Sequence, residues 1–496
     1  MSSHPQQLNE ELVKKLARKL PVDYAMQHKL LPIGMNDDTV CLAAIQSPDA
    51  SRLEELAFLF NSRITHECWP EEELLEAITA IYGVETEADG GTSQTFVVKE
   101  KSHDNEQSSS KDTGVIDYVN RCISDAIRMR ASDIHVECED QQFRIRFRID
   151  GKLTEYDQPS LRPQAVVSRL KIMAELDIAE KRRPQDGRIR MSSADHTVDM
   201  RVSTLPTDFG EKVVLRILDK SALKLSLDTL GIEENILESL KQALRMPNGI
   251  VLVTGPTGSG KTTTLYSGLN FLNKPDVNIV TIEDPIEYNL SGINQTMVRA
   301  DIGLTFASVL RTVLRQDPDI IMLGEIRDGE TAEIAIRSAL TGHMVLSTLH
   351  TNDAISTVAR LIDMGVEPFL VANSLRMVLA QRLVRTICRH CKKEDPTALE
   401  RFVGYELPNT ILTAQHFRGS GCRRCNNSGY AGRMAIMEAL LIDSELAGLI
   451  TQRASVEELT NVAGQKGLIT LQQSGYTQVI ASNTTLDEVI GETWVL

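Results

Sequence analysis

Apolar positions along the chain change their spacing several times, and each change marks a different module. At 8–20 and 71–82 they recur at helical intervals, and 39–44 reads as a short strand, so residues 1–83 are predicted to form a small mixed α and β module. Between 143 and 149, Phe143, Ile145, Phe147 and Ile149 alternate with Arg144, Arg146 and Arg148. That period of two belongs to a strand with one buried face, and it gathers the three arginines on the other. With helices over 115–129 and 162–179 and strands over 188–191, 198–205 and 212–218, residues 113–230 are predicted to be an α+β domain. Continuous apolar runs at 250–254, 278–283, 319–324 and 343–349, with helix-length intervals between them, predict a parallel α/β fold over 231–385. Residues 431–496 are predicted to be helical, with a last helix starting near 484–488.

Composition adds a boundary and excludes some partners. The stretch 84–112 is rich in Asp, Glu, Gly, Ser and Gln, with Phe96, Val97 and Val98 its apolar cluster, and it reads as a flexible linker that tethers the first module. The 496 residues are 42% hydrophobic and 24% charged with a net charge of −15, which disfavours a nucleic-acid groove over the whole surface. Aromatic residues make up 4%, few for stacking on bases. No basic amino-terminal segment precedes an apolar core and no apolar run reaches membrane-spanning length, so a cytoplasmic chain is expected.

Chemistry concentrates at Gly255, Pro256, Thr257, Gly258, Ser259, Gly260, Lys261 and Thr262, between a predicted buried strand and a predicted helix. Glycines at this spacing let backbone N–H groups turn towards phosphates; the lysine reaches the outer oxygens and the threonine hydroxyl suits Mg²⁺. A Gly-rich turn closing a strand is the plain alternative, and the strand before and helix after argue against it. Glu325 ends the apolar run at 319–324 and is the candidate to orient or activate water beside the γ-phosphate of ATP. Position 324 is glycine where such motifs often hold aspartate, so Thr262, helped by Glu283 or Asp284, is expected to hold the metal.

Eight cysteines divide into two kinds. Those at 41, 68, 122 and 138 are scattered, whereas Cys388-Arg-His-Cys391 and Cys422-Arg-Arg-Cys425 form two local pairs 30 residues apart. Such knuckles suit a closed tetrahedral Zn²⁺ site with a structural role; a redox pair is the alternative, less suited to a reducing compartment.

Three longer segments, 281–287, 315–328 and 341–353, resemble the aspartate box, Walker B segment and histidine box of secretion ATPases, the superfamily of type II and type IV secretion that includes pilus motors. The resemblance covers 113–496. It implies a RecA-like P-loop core preceded by a PAS-like α+β domain, a four-cysteine zinc module over 386–430, and assembly as a homo-hexamer. It also implies that arginines from the preceding domain close over the nucleotide, and the matching segments 183–188, 199–204 and 213–218 nominate Arg201 and Arg216. The histidine box brings His343 and His350 near the phosphates as sensors. More weakly, residues 1–83 resemble the amino-terminal domain of type II secretion ATPases, through 20–25 and 49–53. That implies an inner-membrane platform protein as partner and a peripheral position on the cytoplasmic face of the inner membrane. A type IV pilus assembly ATPase is the nearest rival; a nucleic-acid translocase and a nucleotide-sensing scaffold are rivals of other classes.

Overall fold

The computed structural model describes residues 110–493 apart from 141–142, 193–196 and 220–224; before 110 it describes 28–36, 39–45, 62–70, 97–98 and scattered single positions. Residues 1–93 form one compact unit and 94–496 another.

In the first unit, strands β1 (Leu30–Asn36) and β2 (Thr39–Ala44) pair antiparallel, and β3 (Arg63–Cys68) joins β2 in parallel. Alternate residues serve two faces: Leu30, Val40 and Leu42 pack with Leu56 and Phe60, while Leu31 and Ala43 pack with Leu74 and Ile78. The helix expected over 8–20, much of that over 71–82 and most of the 84–112 linker lie outside the described residues.

The second unit begins with β4 (Val97–Val98) and the helix Ser110–Arg128. Its first sheet adds β5 (Ala131–Cys138), β6 (Phe143–Ile149), β7 (Lys152–Asp157), β8 (Gln185–Ser192), β9 (Thr197–Thr207) and β10 (Gly210–Asp219), in the order β4-β8-β9-β10-β5-β6-β7. Ile134, Phe147, Met200 and Leu215 point into a core closed by the helices Ser110–Arg128 and Pro163–Met173. On the opposite face the arginine row meets carboxylates of β5. Glu137 receives Arg144 at 3.1 Å, Arg146 at 2.8 Å and Lys212 at 3.0 Å. Two parts of the expected linker are ordered: Val97 and Val98 pair with Met191 and Ser192, and the helix starts at 110. The edge of β8 supplies the backbone partners for this short segment.

The central sheet contains β11 (Gly249–Thr254), β12 (Ile279–Glu283), β13 (Asn294–Met297), β14 (Ile320–Leu323), β15 (Met344–Leu349), β16 (Leu375–Ile387) and β19 (Tyr430–Leu441), with the short pair β17 (Lys392–Glu394) and β18 (Phe417–Gly419) between the last two. Its order is β13-β12-β14-β15-β11-β16-β19, parallel except for β19. Helices cover both faces, so β11, β14 and β15 are buried throughout and read as unbroken apolar runs.

Here the structure departs from the sequence reading. Residue 385 lies inside β16, and 431–441 is a strand, with helices following only from Ser444. The segment faces two cores, Ala435 and Met437 one and Ile436 and Leu440 the other, which hides the strand period in an almost continuous apolar run. The four paired cysteines thus sit on an excursion between two antiparallel strands of the central sheet.

Candidate nucleotide site and cysteine centre

β11 delivers the phosphate-loop sequence at the sheet's carboxyl edge, where open α/β sheets bind ligands. Gly258 and Gly260 have φ of 85° and 89°, and the helix Lys261–Leu272 begins directly after Gly260 without a side-chain cap. Its first N–H groups therefore remain available to an anion, reinforced by the helix dipole. Lys261 is buried and its Nζ donates to the carbonyls of Gly255 at 2.7 Å and Pro256 at 2.9 Å. Burial pushes its pKa down to about 8, aided by Arg382 and opposed by Glu325.

The neighbouring strand ends complete a cleft of about 640 Å³. Glu325, just past β14, receives Arg327 at 2.5 Å and His350 Nε2 at 3.2 Å, and Arg327 also reaches Asp284 at 3.4 Å. Burial alone would raise the Glu325 pKa, but Arg327 and His350 together hold it below the usual carboxylate range. The Thr348 hydroxyl donates to the Gly324 carbonyl at 2.6 Å and locks the turn that aims Glu325. Thr262 lines the same cleft and its hydroxyl is not engaged by any described residue.

Of the other expected site residues, some converge and some do not. Arg216 lines the cleft, its Nε 3.1 Å from Asp133. Arg201, one register across from it, instead donates to the Ile286 carbonyl at 2.8 Å and pairs with Glu287 at 3.3 Å, outside the cleft lining. Glu283 is at the cleft wall, yet its carboxylate is occupied by Tyr266, Thr281 and Gln295 and is nearly inaccessible. His343 stands at the wrong end: it precedes β15, with Nδ1 2.9 Å from the Ser338 carbonyl. A parallel strand presents its carboxyl end to the site, so six residues at about 3.3 Å each put His343 roughly 20 Å from that edge. His350, at the correct end, is the histidine that meets Glu325. Sequence reasoning did not single out Arg433, which lines the cleft, or Gln381 and Arg382 on β16. A glutamine and an arginine inside the apolar run of 377–384 are the signal that could have found the last two.

Cys388, Cys391, Cys422 and Cys425 bring their sulfurs together, with 3.9 Å between 388 and 422, 3.8 Å between 391 and 425, and 3.6 Å between 422 and 425. These are far longer than a disulfide of about 2.05 Å. They match the roughly 3.8 Å edge of a tetrahedron with metal–sulfur bonds of about 2.3 Å. The donor set therefore fits one tetrahedral ion.

A strand–loop–helix phosphate site, a carboxylate at the end of β14, one strand removed from β11, and this sheet order define a RecA-like P-loop ATPase. Comparison with known proteins narrows the class. Residues 108–491 match the family Type II/IV secretion system protein, and residues 5–88 match the MshEN domain. The chain belongs to the Type II/IV secretion system protein family. It is 43% identical over 490 residues to type II secretion system protein E of Pectobacterium carotovorum, covering 95% of this chain and 96% of that protein. To the type IV pilus assembly ATPase PilB of Myxococcus xanthus it is 45% identical over 489 residues, covering 96% of this chain and 86% of the relative. Among solved structures, the pilus retraction motor PilT with bound ADP superposes with a TM-score of 0.51 at 26% identity, over 75% of this chain and 96% of that one. Among the described residues, no helix is long and apolar enough to cross a membrane.

Proposed function

We propose that the chain is the ATP-hydrolysing motor of a type II secretion system, driving pseudopilus assembly and protein export across the outer membrane. The observation that carries this reading is Glu325 held, ionised, beside the phosphate loop by Arg327 and His350. In this reading Glu325 orients the attacking water, Lys261 neutralises the outer phosphates, and the loop N–H groups with the helix terminus cradle them. His350 senses the γ-phosphate through its bond to Glu325. Arg216 adds positive charge from the preceding domain once freed from Asp133, and Arg201 steadies the aspartate-box loop. Mg²⁺ would be held by Thr262 with Asp284 near, where it would supply charge neutralisation between phosphate oxygens. Glu283, already satisfied, serves as the buried support of that wall. Zn²⁺ fits the four cysteines as a structural ion with no open position.

A homo-hexamer on the cytoplasmic face of the inner membrane, docked to a platform protein through the first module, completes the proposal. The relation to protein E over nearly its full length supports the type II assignment; the similar identity to PilB favours type IV pilus assembly as the second reading. Glu325→Gln introduced at the native locus separates them. Loss of exoprotein secretion with surface pili intact is the expected result, and loss of pili with secretion intact assigns the chain to pilus assembly.

A further inference from the structure

Arg382 is 5% exposed and Gln381 3%, adjacent on β16 directly beside the phosphate loop. Gln381 spans the loop with both ends of its amide: Nε2 donates to the Ser259 carbonyl at 2.7 Å, and Oε1 accepts from the Thr264 hydroxyl at 2.7 Å. The approach is so close that a Cβ on Gly260 would lie 2.7 Å from Gln381 Nε2, and one on Gly255 2.5 Å from the Gln381 carbonyl. Gly255 is thus required by the β16 backbone as well as by its own φ of 146°, while Gly260, with φ of 89°, lies against the movable Gln381 amide.

Arg382 has no such complement. Its guanidinium donates to two backbone carbonyls, Gln381 at 3.1 Å and Asn352 at 2.9 Å, and makes no ion pair with a described carboxylate. The acidic groups around it are committed elsewhere. Glu438 accepts from the N–H groups of Ala354 at 2.8 Å and Leu471 at 3.2 Å, Asp353 caps its helix through the Ser356 N–H at 2.6 Å, and Glu492 acts only at a distance. Burial lowers the arginine's pKa, and the same cation depresses that of Lys261. Glu492, Asp353 and Glu438 offset part of this burial through space, none of them as an ion pair with the guanidinium; a buried charge so incompletely balanced is expensive to keep, and added negative charge nearby relieves that cost.

We propose that Gln381 and Arg382 are positioning residues for the phosphate loop: Gln381 fixes its shape, and Arg382 ties it to the loop after β15 while holding a buried positive charge that nucleotide phosphate balances. Polyphosphate binding then relieves an electrostatic strain present in the free protein, and the strand leading to the cysteine centre sets the affinity of the site. This rests on the phosphate loop being the nucleotide site.

The test compares melting temperature without nucleotide and calorimetric Kd for Mg-ADP in wild type and Arg382→Met, and steady-state KM for ATP and kcat in wild type and Gln381→Ala. Arg382→Met keeps the length and apolar stem but removes the charge, and it is expected to melt no lower than wild type without nucleotide while binding Mg-ADP at least tenfold more weakly. Gln381→Ala is expected to raise KM for ATP at least tenfold with kcat within twofold. If Arg382→Met melts well below wild type and the folded fraction binds Mg-ADP as wild type does, the arginine is only structural and the inference fails. If wild type itself does not bind Mg-ADP, the nucleotide reading fails instead.

Discussion

Lys261 occupies the most electrostatically demanding position in the cleft, because its ammonium is buried, faces Arg382 and is held only by two carbonyls. With its pKa depressed to about 8 in the free protein, it is largely charged at neutral pH and loses its proton as pH rises through that value. Phosphate binding favours the charged form, so binding above pH 8 takes up a proton, and Kd for Mg-ADP should weaken by up to tenfold per pH unit there. Calorimetry between pH 7 and 9.5 checks this, and a flat Kd contradicts it. Glu137 is also shifted down, which in a carboxylate favours the charged form: burial would raise its pKa, but Arg146, Lys212 and Arg144 hold it at about 2. Its stabilisation is present above the unfolded value near 4.5 and is lost as pH falls towards 2. The melting-temperature gap between wild type and Glu137→Gln should therefore narrow below about pH 4.5. The phosphate loop was legible at this scale because its glycine spacing is self-contained. The two histidines of 341–353 were not separated by pattern, since they flank one strand, and only the strand's direction assigns His350 to the site.

The parallel strands β11, β12, β14 and β15 were legible because burial on both faces gives unbroken apolar runs bounded by polar loops. The same two-sided burial concealed β19, whose run reads equally well as a buried helix. Its pairing with β16 frames the cysteine centre between two strands of the central sheet, so metal loss should loosen the ends of both. Metal analysis is expected to give one zinc per chain, and chelation or Cys388→Ser to lower the melting temperature by several degrees. An unchanged melt after complete metal removal would show that the excursion holds without an ion. β4 and the partnering of the arginine row by Glu137 and Asp133 depend on contacts far apart in sequence, which periodicity alone does not report.

The whole molecule places charges from one domain at a site built by another. Arg216 comes from the sheet of 131–219 yet lines the cleft formed by the central sheet. Within this chain it is held by Asp133, a contact that the proposed assembly would exchange for phosphate through domain movement. Arg216→Ala should lower kcat by about 10²–10³ while leaving Mg-ADP affinity within a few fold, the pattern of an interaction made in the transition state. Equal losses in affinity and turnover would make it a ground-state binder. In the proposed function this site hydrolyses ATP through Glu325. Steady-state phosphate release by the purified full chain, wild type against Glu325→Gln with Mg-ADP affinity measured in parallel, tests it most directly. Wild-type turnover with at least a hundredfold loss in the variant and unchanged affinity is the predicted result; equal turnover in the two proteins would contradict it.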